Sequence, residues 1–133
     1  MASVVYEDWW GEVFDRPQLD LVELRWFDST NRMSAEEFKH SLEAFAGCVE
    51  QCRRKRVLID STSFRMDPSN MDGPWRDANI IPRYNAAGVE RFAFQMPDGM
   101  PMIGAAPAIE APGKFLTGYF GHRQDAIDWL TSP

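Results

Sequence analysis

The sequence predicts one α/β (α+β) domain over residues 1–133, on three observations. An early stretch alternates apolar and polar residues, a capped stretch with helical spacing follows, and behind it Val57-Leu58-Ile59 is apolar at every position. Period two with one apolar face marks a strand, and an i, i+3, i+4 stripe marks a helix. A continuous apolar run after a helix fits a strand buried on both faces of a parallel sheet. The expected order is N-terminal antiparallel strands, then β-α-β-α-β-loop-β-α, forming a mixed sheet with helices packed on it.

The N-terminal strands are expected at Val4-Val5-Tyr6, at Val13-Phe14 and along Leu19 to Phe27, with Pro17 supplying a turn before the last. In that run Val22, Leu24 and Trp26 alternate with Glu23, Arg25 and Phe27, which predicts one buried face. Ser34-Ala35-Glu36-Glu37 is a capping box, whose serine and glutamate each satisfy an amide at the helix start. Phe38, Leu42, Phe45, Val49 and Cys52 then recur on one stripe, so a helix is expected to about residue 53. Arg53-Arg54-Lys55-Arg56 follows where cations complement the helix C-terminus, or where an anionic partner would dock.

Asp72-Gly73-Pro74 opens a second helix, which Pro82 kinks or splits and Gly88 closes in a left-handed conformation. Val89 to Met96 reads as a strand. Residues 97–113 hold so much Pro, Gly and Ala that neither helix nor paired strand is expected, only a long loop. Phe115 to Phe120 is the last strand, and Ala126, Ile127, Trp129 and Leu130 give a short final helix its apolar face.

The composition permits a core of moderate size, since 44% of the 133 residues are hydrophobic and nine Phe, five Trp and three Tyr supply bulk. A net charge of −6 argues against non-specific nucleic-acid or anionic-membrane binding, which needs clustered cations. No apolar stretch is long enough for a transmembrane segment and Met1 to Trp10 lacks the order of a secretory signal, so a cytoplasmic location is expected. Cys48 and Cys52 lack redox or zinc spacing and read as reduced, core-facing thiols. No cofactor and no metal are expected, because no phosphate loop, nucleophile elbow or ligand cluster is present.

Val57-Leu58-Ile59-Asp60, the strand Gly88-Val89-Glu90-Arg91-Phe92-Ala93-Phe94 and the ending Gly118 to Leu130, with its Asp125-Ala126-Ile127-Asp128-Trp129-Leu130 helix, carry a family likeness. Together with the element order, they make residues 20–133 resemble the STAS domain, in particular the small bacterial SpoIIAA-like (STAS/SEC14-like) proteins. The resemblance implies a binding or regulatory module of anti-sigma-antagonist type. It also implies a switch serine directly after an Asp at a helix start. The nearest match is Asp67-Pro68-Ser69-Asn70, where Pro68 takes the hydroxyl's position and leaves Ser69 as the acceptor.

The candidate ligand site is a cleft between the kinked helix 74–87 and the 97–113 loop. Trp75 and Tyr84, with Trp9 and Trp10, offer aromatic walls or core plugs. Arg76 and Arg83 share a helix face if the helix is continuous, and with Arg91 they suit bidentate capture of an anion or pairing with Asp77 and Glu90. Met96, Met100 and Met102 give the loop adaptable apolar contacts. Asp60, at a strand's carboxyl end, and His122, at a helix start, are the candidate catalytic groups; His40 lies on a polar helix face.

Three functions follow as expectations. The first is a non-enzymatic STAS-like module for a small apolar or amphipathic molecule or a protein partner, with homodimerisation open through the sheet edges. The second is a small cofactor-free enzyme of isomerase or cyclase type acting in the same cleft. The third is a phospho-regulated partner-switching protein modified at Ser69.

Overall fold

The computed structural model describes residues 2–97 and 106–133. Seven strands form one mixed sheet in the order β1-β2-β3-β4-β5-β7-β6. β1 (Ser3–Glu7), β2 (Gly11–Arg16) and β3 (Leu21–Trp26) make the antiparallel meander that the alternation predicts. β3, β4 (Arg56–Asp60), β5 (Arg91–Gln95) and β7 (Leu116–Phe120) run parallel, and β6 (Ala108–Ile109) is antiparallel to β7 at the far edge. The pairing of Ala108 and Ile109 corrects the expectation that residues 97–113 contain no strand. Backbone amides and carbonyls seek partners even in Pro-rich sequence, and two residues between prolines suffice here.

α1 (Ala35–Cys52) begins as the capping box predicts: the Glu37 amide donates to Ser34 Oγ at 3.1 Å and the Ser34 amide donates to the Glu37 carboxylate at 2.9 Å. Pro82 splits the next helix into α2 (Gly73–Asn79) and α3 (Ile81–Ala87), joined at Ile80. The Asp72 carboxylate caps α2 by accepting from the Trp75 amide, and Gly88 ends α3 with φ 88°. α4 is Arg123–Thr131.

Strand alternation divides the core between two faces. Val22, Leu24, Trp26, Val57, Ile59 and Phe92 point to one side, where they meet Phe38, Leu42, Phe45 and Val49 of α1 and Ile81 and Tyr84 of α3. Leu21, Leu58 and Ala93 point to the other side and pack on Ala126 and Leu130 of α4. Val57, Leu58 and Ile59 are therefore buried on both faces, as expected for a central parallel strand. Cys48 lies in the core and Cys52 is half-buried, both as free thiols; burial pushes the Cys48 thiol up to about 11.

The run Arg53 to Arg56 is largely consumed by the fold. Arg54 forks onto Asp15, Lys55 faces Glu90, and Arg56 donates to the Leu19 carbonyl. Its cations thus tie the end of α1 and the start of β4 to neighbouring segments.

The β1–β2 turn is held by one carboxylate. Asp8 accepts from the amides of Trp10 and Gly11, from the Tyr6 hydroxyl and from Ser41 Oγ on α1. Burial and this contact with Asp8 raise the Tyr6 phenol to about 12. Gly11 follows the turn, where a Cβ would lie 2.7 Å from the Arg25 carbonyl oxygen. Because that neighbour is paired backbone, Gly11→Ala is expected to destabilise by about 1–3 kcal/mol, read from urea unfolding; an unchanged midpoint contradicts the close approach.

Candidate functional site

The register of the parallel strands assembles one row from four of them. Leu24 pairs with Ile59, Ile59 with Phe94, and Phe94 with Tyr119, all on the α1 side near the strands' carboxyl ends. This row is the floor of a cavity of about 550 Å³. The roof comes from Phe38 and Leu42 of α1, and the outer wall from Ser61, Phe64, Met66, Pro68 and Met71, the irregular chain between β4 and α2. Gly73 and Arg76 of α2, Tyr84, Met96 and Pro97 complete the lining. The chain after β4 reaches α2 through irregular backbone and a 3-10 turn (Pro68–Asn70) along the edge of this cavity.

Aromatic rings make the walls stiff. Trp26, Phe38 and Phe64 form a mutual cluster with centroids 5.2–6.1 Å apart, and Phe94 stacks on Tyr119 at 5.2 Å and 7°. Such rings bury large areas with few rotatable bonds, so the cavity keeps its shape. Its volume falls in the range of small-molecule sites, about 300–1,000 Å³. Open α/β sheets also present ligands at the carboxyl ends of their strands.

Polar groups at the cavity are few. The Tyr84 side chain is 1% exposed, yet its hydroxyl has no hydrogen-bond partner among the described residues, and burial raises its phenol far above the ordinary range. Arg76 is half-buried and carries no ion pair among the described residues. It also borders a second, smaller cavity of about 260 Å³ lined by Asp77, Glu110, Pro112 and Tyr119. There the Tyr119 hydroxyl donates to the Glu110 carboxylate; burial, and then that bond, push its phenol up to about 12.

The structure brings together only part of what the sequence suggests. Arg76, Tyr84 and Met96 line the large cavity. Met100 and Met102 lie outside the described residues. Trp75 is half-buried beside the core with Lys39 over its ring, Trp10 packs at the core's margin, and Trp9 is 83% exposed, so these tryptophans do not wall the cavity. Arg83 forks onto Glu50 of α1, and Arg91 donates to the Trp129 carbonyl and Ser132 hydroxyl on the opposite face of the sheet. The expected three-guanidinium clamp is thus dispersed: the split at Ile80 breaks the helical phase between Arg76 and Arg83, and strand alternation sends Arg91 to the α4 side.

Asp60 also points to the α4 side, since Ile59 and Ser61 are the residues that face the cavity. Its carboxylate accepts from the Thr62 amide and hydroxyl and lies 3.6 Å from Arg25 Nε. His122 is exposed at the start of α4 and makes no side-chain cap bond. An Asp60–His122 acid–base pair in the cavity is therefore not formed. Ser69 is exposed and donates to the Asp67 carboxylate at 2.9 Å, which would repel a phosphate placed on it. Among the described residues no cluster of three metal-binding side chains occurs, and no helix is long and apolar enough to cross a membrane.

The cleft predicted between helix 74–87 and loop 97–113 is corrected in its walls. The sheet, α1 and the 61–71 segment bound it, and of the loop only Pro97 lines it among the described residues. The far half of the loop is anchored elsewhere: the Asn85 side chain donates to the Pro112 carbonyl and accepts from the Lys114 amide. Trp26, Phe38, Leu42, Phe64 and Phe94 are among the cavity residues that sequence reasoning missed. Strand alternation and helical spacing mark all but Phe64, which lies in irregular chain, as inward-facing, and that is true of core and cavity wall alike.

Comparison with protein-family models, curated proteins and solved structures finds no match for this chain.

Proposed function

We propose that this protein is a non-enzymatic, STAS-like binding module that takes a small apolar or amphipathic molecule into the cavity above the Leu24-Ile59-Phe94-Tyr119 row. One observation carries the reading: a half-open cavity of about 550 Å³ is walled almost wholly by apolar and aromatic side chains. An apolar, half-open cavity of this size in a domain of 133 residues leaves hydrophobic surface that a ligand would cover. The STAS-like assignment draws on the antiparallel meander leading into helix-separated parallel strands. The enzyme alternative has less to draw on, because Asp60 and His122 lie away from the cavity. The switch alternative meets Asp67 at Ser69.

Native mass spectrometry of the full chain purified from its own cells tests the reading. A small molecule is expected to be retained by the parent protein and lost from Ser61→Trp, which places an indole at the cavity wall. A ligand retained equally by Ser61→Trp, or a parent that emerges empty and binds no apolar probe, overturns it.

A further inference from the structure

The cavity is largely apolar, and of the polar side chains that line it the Arg76 guanidinium and the Tyr84 and Ser61 hydroxyls make no side-chain hydrogen bond to a described residue. A polar side chain that lines an apolar cavity and has no protein partner is free to pair with whatever occupies the cavity. Tyr84 is buried to 1% exposure with a free hydroxyl, although it sits among Phe45, Phe92 and Phe115 rings that define its position. Arg76 reaches the same cavity from α2 and is the one cationic side chain in its lining among the described residues. Arg76 and Tyr84 both line this one cavity. Neither Asp77 nor Glu110, the acids beside Arg76 in the smaller cavity, forms an ion pair with it, and Glu110 is taken by Tyr119.

A guanidinium and a phenolic O–H are both donors, and a carboxylate is acceptor-only with room for a forked guanidinium and a further hydrogen bond. Trp26, Phe38 and Phe64 line the cavity with mainly apolar ring surface. We propose that the occupant is an amphipathic monocarboxylate, whose carboxylate is received by the Arg76 guanidinium and the Tyr84 hydroxyl while its hydrocarbon part fills the space against Trp26, Phe38 and Phe64. The inference rests on the cavity being a ligand site and adds the chemistry of the head group.

Dodecanoate, methyl dodecanoate and dodecylamine share one chain and differ only at the head, so their affinities for the full-length protein, by titration calorimetry, separate the two readings. Dodecanoate is expected to bind tighter than the ester by about tenfold or more, the scale of a hydrogen bond to a charged group. Arg76→Met and Tyr84→Phe should each bring the acid toward the affinity of the ester, with the acid losing more than the ester, which keeps only a neutral carbonyl as acceptor, and Arg76→Lys should recover part of the preference. Tyr84→Phe removes only an unbonded oxygen and is expected to fold; Arg76→Gln replaces Arg76→Met if the latter fails to. Equal binding of acid and ester, or tighter binding of the amine through Glu110 and Asp77, overturns the carboxylate assignment while sustaining the cavity as a site. Binding of none of the three overturns both.

Discussion

Glu23→Ala is expected to destabilise the protein by about 3–5 kcal/mol, the cost of breaking a buried ion pair and leaving its partners uncompensated. Glu23 is 0% exposed in the middle of β3, on the face covered by α4. Arg123, the first residue of α4, forks onto its two carboxylate oxygens at 2.6 and 2.7 Å, and Arg16 donates to one of them at 2.8 Å. Burial alone pushes the Glu23 carboxyl up; the hydrogen bonds and charges of Arg123 and then Arg16 outweigh it, so its pKa lies below the ordinary value of 4.5. With the folded pKa lowered, the group's contribution is full above about pH 4.5 and is lost as pH falls through the folded value. Denaturation measured from neutral to acid pH should therefore show a loss of stability below pH 4.5 in the parent that Glu23→Gln lacks in this component. Arg16→Met, Glu23→Leu and Arg123→Met together should recover most of the stability lost by Glu23→Ala, because removing the whole group leaves no stranded charge. If Glu23→Ala unfolds within about 1 kcal/mol of the parent, the triad is a bystander.

Leu42→Phe is expected to abolish capture of an apolar probe and to raise the melting temperature of the empty protein. In a filled core an enlarged side chain costs about 1–3 kcal/mol through strain. Leu42 projects from α1 toward open volume, so added ring atoms gain contacts that the void denies to its lining. Phe45, one turn further along α1 and 1% exposed, supplies the contrast, since it packs on Tyr84 and does not line the cavity. Phe45→Ala should lose about 3–5 kcal/mol. Thermal unfolding with and without dodecanoate reads both variants; a Leu42→Phe protein that melts lower and still gains stability from the probe contradicts an open cavity at that residue.

The triad also marks where alternation in the sequence misleads. Glu23 and Arg25 read as the solvent face of β3, yet Glu23 is as buried as Val22. A polar residue at every second position is the same string whether water or a pair of arginines meets it. Arg123 lies 100 residues away, and no local pattern joins the two.

The local architecture was legible because its causes are local. The Ser34–Glu37 box, the α1 stripe, the split at Pro82, the left-handed Gly88 and the doubly buried Val57-Leu58-Ile59 each follow from backbone geometry or side-chain spacing within a few residues. Of the candidate site, Arg76, Tyr84 and Met96 were legible as residues but not as neighbours. Strand register decided that Leu24, Ile59, Phe94 and Tyr119 form one row, and that Asp60 and Arg91 turn away from it. A one-residue slip would reverse those faces without altering a letter of the sequence. The sequence by itself thus determined which segments are strands and helices and which side chains seek burial. Only the tertiary structure decided where burial stops short of contact, because a cavity is set by distances between elements that no periodicity within one element records.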